Sequence, residues 1–162
     1  MTIRPAEPRD YPRILAIWRP FYRETTVTFA SEEKTEETLP LYIETRRSQG
    51  RETFVAERVG QVLGFASYDQ FRGGDGYVHA MEHTIILAPE SQGQGAGRAL
   101  MQAIEGHARE AGAHVMVAGV SAENATGIGF HAAIGYEETG RMPQVGRKFD
   151  RWLDLVLMQK LL

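Results

Sequence analysis

One stretch of this sequence joins a buried strand to a helix through a turn rich in glycine. Apolar residues lead to Pro89, glycines follow at positions 93, 95 and 97, and Arg98 comes next. The apolar pattern beyond the turn predicts a helix over residues 92–111. The first N–H groups of a helix lack partners within it, and the helix dipole favours anions there. Because glycines have no Cβ atoms to keep a phosphate from these N–H groups, the stretch predicts a pyrophosphate site.

Two well-known phosphate-binding motifs do not account for this turn. The Walker A motif requires Gly-Lys followed by Ser or Thr, and the sequence has no Gly-Lys pair. The dinucleotide fingerprint Gly-x-Gly-x-x-Gly fails because Arg98 and Leu100 stand where a third glycine belongs. On the glycines alone, a flexible turn that binds nothing remains an alternative.

Hydrophobic periodicity predicts alternating helices and strands. Asp10 is a candidate cap for a first helix, which Pro20 should kink or end. Thr35 is a candidate cap for a second helix, which Gly50 should stop. Strands are expected over 54–57, 62–68, 79–87, 115–120, 136–141 and 152–158, and a short helix over 126–133. This order predicts a mixed α/β fold, with a largely antiparallel sheet and helices on both faces.

Length and composition exclude several classes of protein. The chain has 162 residues, which fits one domain over 1–162. The net charge is −3 and no run of Lys and Arg occurs, so nucleic acid and anionic membranes are poor partner candidates. Cysteine is absent, and no apolar run approaches the ~20 residues that a membrane helix needs. We therefore expect a cytoplasmic protein without a membrane-spanning segment.

A second motif lies downstream of the glycine turn. Gln92-x-x-Gly95-x-Gly97 is followed by Asn124, Gly127, His131 and Gly135-Tyr136. Together they resemble the acetyl-coenzyme A signature of the GCN5-related N-acetyltransferases (GNAT). Glu82-His83-Thr84 and the tail over 140–154 resemble the branch that acetylates phosphinothricin and methionine sulfoximine. This resemblance implies a sheet of about six or seven strands that splays in the middle, between the strands of Ile86 and Val117.

The resemblance also implies which residues hold acetyl-CoA, with no metal. Backbone N–H groups of the turn and Arg98 would hold the pyrophosphate. The strand from Ile85 to Leu87 would pair with pantetheine as another strand would, and an N–H near Ile86 would polarise the thioester carbonyl. Asn124, Gly127 and His131 would also contact the coenzyme. The full predicted set is Ile85, Ile86, Leu87, Gln92, Gly93, Gln94, Gly95, Ala96, Gly97, Arg98, Asn124, Gly127 and His131.

Two side chains are candidates for moving protons. Glu82 would act as general base for the amine, because on a strand Glu82, Thr84 and Ile86 share one face. A solvated glutamate at a strand end is its alternative. His131 stands where many GNAT members have a tyrosine that protonates the departing thiolate, and imidazole can donate there. A histidine that only packs is the alternative for His131.

The segment His79-Ala80-Met81-Glu82-His83 matches the His-x-x-Glu-His pattern of some zinc peptidases. That pattern works on a helix, where residues four apart are neighbours. On a strand, residues four apart are separated by ~13 Å, too far to chelate one ion. The strand context therefore favours no metal site.

The resemblance also implies which residues bind the amine that accepts the acetyl group. Arg72 would bind a substrate carboxylate through two parallel donors, or be a solvated loop residue. Phe29 would form a pocket wall, and Lys148 and Trp152 would be late elements of the site, contributed across a homodimer; a core residue is an equal alternative for Trp152. The leading hypothesis is acetylation of the amine of a small amino acid or analogue. Alternatives are a protein N-terminus or polyamine acetyltransferase, and a coenzyme A sensor without turnover.

Overall fold

The computed structural model describes residues Met1–Leu162 and contains seven strands and four α-helices. In chain order they are β1 (Thr2–Pro5), α1 (Tyr11–Glu24), α2 (Thr38–Ser48), β2 (Thr53–Arg58), β3 (Gln61–Gln70), β4 (Ala80–Leu87), α3 (Ala96–Glu110), β5 (Val115–Ser121), α4 (Ala125–Ala133), β6 (Glu137–Lys148) and β7 (Arg151–Leu161). No helix is both long enough and apolar enough to cross a membrane.

The seven strands form one sheet in the order β1-β2-β3-β4-β5-β7-β6. Every neighbouring pair is antiparallel except β4 and β5, which run parallel. A parallel pair needs a crossover connection, and α3 supplies it after the glycine-rich turn. The predicted mixed, largely antiparallel sheet is therefore confirmed.

The sheet opens between its two central strands. β4 and β5 pair only from Ala80↔Val115 to Glu82↔Val117, whereas β4 stays paired with β3 as far as Leu87. Beyond Glu82, the edge of β4 that faces β5 has no partner strand. The predicted splay is confirmed, and it leaves a gap in the middle of the sheet.

Two hydrophobic clusters cover the two faces of the sheet. One contains buried residues of α3, such as Leu100 and Ile104, together with Met116 of β5. The other contains Ile14 and Trp18 of α1 together with residues of α2 and Ile86 of β4. Alternate residues of β4 thus pack against different helices, as the pleat of a strand requires. This confirms helices on both faces.

The first helix does not end at Pro20, and Asp10 at its start does not use its side chain as the cap. Helix α1 continues through Pro20 to Glu24, since Pro20 lies on its exposed face while Trp18 and Tyr22 pack into the core. Tertiary packing here outweighs the backbone hydrogen bond that proline removes. Asp10 does not cap the helix with its side chain; its carboxylate accepts hydrogen bonds from Arg4 instead.

Helix α3 begins at Ala96, so the predicted start at residue 92 was wrong. Gly93 and Gly95 have φ values of 74° and 79°, in the left-handed region that a right-handed helix excludes. A short 3₁₀ turn over Pro89–Ser91 precedes them. Strand β1 was missed, because four residues carry little periodicity. Strand β6 extends past residue 141 to Lys148.

Candidate active site

A large cavity lies at the gap between β4 and β5. Its volume is about 650 Å³, and α1, β4, the glycine turn, β5 and α4 all contribute to its wall. Of the residues predicted to bind coenzyme, the wall includes Ile85, Ile86, Leu87, Gln92, Gly93, Gly95, Ala96, Gly97, Arg98, Asn124, Gly127 and His131. The structure thus brings the two sequence motifs to one cavity.

The glycine turn presents unused donors to this cavity. No hydrogen bond within the protein uses the backbone N–H groups of Gly93, Gly95, Ala96, Gly97 and Arg98. Gly95 is the N-cap of α3 in the left-handed conformation, which aims the first turn of the helix at the cavity. Five free donors on one concave wall fit an anion with several acceptor oxygens.

Close packing explains why Gly97 carries no side chain. A Cβ on Gly97 would lie 3.1 Å from the ring of Phe130 and 3.2 Å from the side chain of Leu87. A side chain at this position would require the Phe130 ring and the Leu87 side chain to move by a few tenths of an ångström. The sequence analysis did not single out Phe130, although it also lines the cavity.

Gln94 and Arg98 differ in how they face the cavity. The N–H of Gln94 donates to Ser91, and its side chain bonds the carbonyl of Glu90 and the guanidinium of Arg58. Gln94 is not part of the cavity wall, so its predicted coenzyme contact is not supported by its position. Arg98 is exposed at the wall and forms no ion pair, which leaves its guanidinium free for an anion.

The unpaired edge of β4 exposes the N–H groups of Ile85 and Leu87. Immediately after β4, Ala88 donates its N–H to Leu63 of β3. Because alternate residues of a strand point their N–H groups to the same edge, the N–H of Ile86 also points to β3. The predicted oxyanion donor at Ile86 is therefore corrected: Ile86 contributes a side chain to the cavity, and its two neighbours contribute the free donors.

Glu82 stands where the gap begins. Its Oε2 atom lies 3.3 Å from the point that a Cβ on Gly119 would occupy, so the carboxylate rests over the backbone of β5. Burial raises the pKa of Glu82, and no neighbouring charge offsets that effect. A carboxylate with a raised pKa accepts a proton more readily at neutral pH, which is the property of a general base.

A second, smaller cavity meets the first at Gly119. Its volume is about 280 Å³, and its wall consists of Val27, Thr28, Phe29, Ala30, Gly119, Ser121 and Leu155, none of them charged. The wall includes Phe29, as predicted, and the ring of Phe29 occupies the space that a Cβ on Gly146 would need. Val27, Thr28 and Gly119 belong to both cavities, and the carboxylate of Glu82, which lines neither, lies over Gly119 beside their junction.

Lys148 is not placed to bind a substrate. Its ammonium is buried and donates to the carbonyl oxygens of Phe21, Thr25 and Thr28 at 3.1, 2.6 and 2.8 Å. An ammonium has three N–H donors, and these bonds use all of them. The predicted substrate contact is therefore corrected: Lys148 fixes the end of α1 and the loop that carries Phe29.

Arg72 is also outside both cavities. It lies in the exposed loop after β3, and its guanidinium is 5.4 Å from the ring centre of Tyr77. Trp152 is 58% exposed on β7 and faces the guanidinium of Arg147, so it is not a core residue. Within one chain, the structure does not bring Arg72 or Trp152 to the cavity.

Helix α4 places Asn124, Gly127 and His131 along one wall. Asn124 caps the helix by accepting a hydrogen bond from the N–H of Gly127 at 2.9 Å. The Nδ1 atom of His131 lies 2.7 Å from the carbonyl oxygen of Gly127, and burial lowers the pKa of His131. Asn124 thus has the capping role that a helix start predicts, at a position on the cavity wall.

No group of three or more His, Cys, Asp and Glu side chains is arranged to hold a metal ion. His79 precedes β4 and its Nδ1 atom bonds the carbonyl of Gly112, whereas Glu82 and His83 point to opposite faces of the strand. The residues of the apparent zinc-peptidase pattern therefore do not converge.

The family model described as the acetyltransferase (GNAT) family matches residues 11–136, well over half of the chain. The chain belongs to this family. A methionine sulfoximine/methionine sulfone acetyltransferase of Pseudomonas aeruginosa is 40% identical over 159 residues, which cover 98% of this chain and 92% of that protein.

Solved GNAT structures agree with the fold. A ribosomal-protein-alanine N-acetyltransferase of Brucella melitensis is 40% identical, with a TM-score of 0.96 and full coverage of both chains. An acetyltransferase of Salmonella typhimurium, solved with acetyl-CoA, is 37% identical with a TM-score of 0.93 and covers 99% of this chain and 92% of that one.

The GNAT cavity of this chain has the donors that acetyl-CoA requires. The diphosphate of the coenzyme needs several donors and a cation, and the free N–H groups of the turn with Arg98 supply them. Its amide-containing arm needs an unpaired strand edge, and β4 offers one beyond Glu82. When bound, acetyl-CoA supplies the acetyl group and the thiol that leaves.

Proposed function

We propose that this GNAT protein transfers an acetyl group from acetyl-CoA to the primary amine of a small amino acid or analogue, with methionine sulfone and sulfoximine as the first candidates. The observation that carries the proposal is the junction of two cavities at Gly119. One cavity has the donors for the coenzyme, and the other is small and uncharged. The relative in Pseudomonas aeruginosa, named for these two compounds, supports the same acceptors.

The residues of the junction take separate roles in the proposed mechanism. Glu82 accepts the proton that the amine loses as its nitrogen forms a bond to the acetyl carbon. The N–H of Ile85, nearer to Glu82 than that of Leu87, donates to the carbonyl oxygen as negative charge develops there. The carbon–sulfur bond breaks, and His131 donates a hydrogen bond to the sulfur as it leaves. Val27, Phe29 and Leu155 give the smaller cavity an apolar wall.

The acceptor's side chain would occupy the smaller cavity. Val27, Phe29 and Leu155 would contact its apolar part, and Thr28 and Ser121 are the residues of that wall whose hydroxyls could bond a sulfone or sulfoximine oxygen. A charged side chain would lose hydration there without gaining a partner. The proposed role of Arg72 in binding the carboxylate stays a prediction, since its loop lies away from both cavities.

A second acceptor class follows from the Brucella structure, which is named for acetylation of a ribosomal protein. A panel assay separates the two classes. We expect release of free thiol from acetyl-CoA with methionine sulfone and methionine sulfoximine, and at least about tenfold lower kcat/KM with lysine-side-chain analogues, polyamines and alanine-ended peptides. Turnover that is fastest with a peptide would favour the second class, and no turnover with any amine would favour a coenzyme A sensor.

We also propose a single-domain, cytoplasmic homodimer. The β6–β7 hairpin exposes Met142, Val145, Phe149 and Trp152, an apolar surface of the kind that often binds another protein. The absence of cysteine supports a reducing compartment.

A further inference from the structure

His83 is a buried histidine beside the cavity to which the sequence analysis gave no role. It is 9% exposed and lies on the face of β4 opposite to Glu82. Its Nε2 atom is 3.0 Å from Nε2 of His131, and the two rings stack with centres 5.0 Å apart and planes 19° apart. Both histidines belong to the cavity wall.

The hydrogen bonds of the pair determine where each proton is. Gly127 contacts His131 Nδ1 through a carbonyl oxygen, which can only accept, so Nδ1 of His131 carries the hydrogen. Neutral His131 then has a lone pair at Nε2, and the contact with His83 needs a hydrogen from His83 Nε2. The remaining nitrogen of His83, Nδ1, is buried and has no partner in the protein.

The surroundings keep both rings neutral. Burial, followed by the neighbouring His131, lowers the pKa of His83 to about 3. Burial also lowers the pKa of His131, although the Gly127 carbonyl and, at longer range, Glu105 act in the opposite direction. The aromatic rings of Phe130 and Tyr136 enclose the pair.

The charged groups behind these rings already have hydrogen-bond partners. Tyr136 donates its hydroxyl to Glu105, and Lys160 donates to the other carboxylate oxygen of Glu105. On the strand itself, the carboxylate of Glu82 lies on the other face. No carboxylate therefore contacts either imidazole, and only the longer-range charge of Glu105 favours an imidazolium at His131.

We propose that His83 is a positioning residue that holds His131 as the neutral Nδ1–H tautomer in one orientation at the cavity wall. This inference rests on the proposed role of His131 at the leaving sulfur. In that tautomer the Nδ1–H of His131 is bonded to the Gly127 carbonyl, so it donates to the sulfur only when that bond is given up, and His131 keeps its proton. The thiolate leaves with its negative charge and takes its proton from water after release.

Nuclear magnetic resonance of histidine labelled with ¹⁵N tests the tautomers without any assay of activity. We expect two-bond ¹H–¹⁵N correlations to give His131 as Nδ1–H and His83 as Nε2–H, with His83 not titrating between about pH 5 and pH 8. The opposite tautomer at either ring, or titration of His83 in that range, would overturn the inference. This readout holds even if the protein acetylates no amine, so it is independent of the proposed function.

Two substitutions then separate positioning from packing. H83Q keeps an N–H donor at the position of Nε2, so kcat should stay within about threefold and His131 should keep its tautomer. H83L fills similar space without a donor, so we expect kcat to fall by at least about tenfold, a larger change than any in KM for acetyl-CoA. Equal kcat in both variants, whether preserved or lost, would contradict a positioning role; if H83L does not fold, H83Q and the wild-type spectrum decide the question.

Discussion

Replacing Glu82 with Gln is expected to lower kcat by about 100- to 10,000-fold, the usual contribution of a general base. The amide keeps the size of the side chain and its position over Gly119, but it cannot take a proton from the amine. The affinity for coenzyme A should stay within about twofold, because the Glu82 side chain is not part of the cavity wall that holds the coenzyme. Steady-state kinetics with methionine sulfone, together with calorimetry of coenzyme A, measure both quantities.

The pH profile gives the same substitution a second readout. Only the carboxylate form of Glu82 accepts a proton, so kcat should fall as the pH drops through the pKa of Glu82. Burial raises that pKa, which moves the acidic limb of the profile above the ordinary range of a glutamate. In E82Q the limb should disappear. The control is E137Q, since Glu137 is an exposed carboxylate of β6 outside both cavities; unchanged kcat in E82Q, or equal loss of coenzyme affinity, would contradict the base assignment.

Replacing Gly95 with Val should remove coenzyme binding while the fold persists. Gly95 has φ 79° and ψ 4°, a conformation that costs a β-branched residue about 1–3 kcal/mol. Relief of that strain would turn the free N–H groups of residues 95–97 away from the cavity. Each hydrogen bond from such a group to a charged phosphate contributes about 1.5–3 kcal/mol, so losing two should weaken coenzyme A binding by about 100-fold or more.

Gly106 offers a matched control on the same helix. It lies within α3, away from the cavity, and a Cβ there would have open space around it. G106A should therefore leave coenzyme affinity unchanged and raise helix stability slightly, by up to about 1 kcal/mol. Calorimetry of both variants measures affinity, and thermal unfolding checks that each is folded. Tight coenzyme binding by folded G95V would refute the assignment of the turn.

The sequence predicted the parts of the fold in which local chemistry and packing agree. The glycines at 93, 95 and 97 indicated an anion site, because their conformation and their missing side chains are local properties. The apolar run of β5 indicated a central strand for the same reason. Prediction failed where distant contacts decide: Pro20 continues a helix because Trp18 and Tyr22 bind the core, and Asp10 bonds Arg4 rather than the helix end.

In the site, too, local motifs were predicted correctly, whereas roles that depend on distant contacts were not. The residues predicted to bind coenzyme converge on one cavity, apart from Gln94, whose side chain is bound by Arg58 and Glu90. Lys148 was assigned to the substrate because sequence alone does not show that three carbonyl oxygens surround its ammonium. Ile86 was assigned the oxyanion role because the motif gives a strand position but not the edge to which its N–H points. A register with β3 was needed to assign that role to Ile85 or Leu87.

The central claim is that the free N–H groups at the start of α3 bind the diphosphate of coenzyme A. Calorimetry that compares coenzyme A with pantetheine tests it directly, because the two share the thiol arm and only coenzyme A carries the diphosphate. We expect coenzyme A to bind at least about 100-fold more tightly than pantetheine, as loss of several charge-assisted hydrogen bonds implies. Equal affinities for the two compounds would contradict the claim.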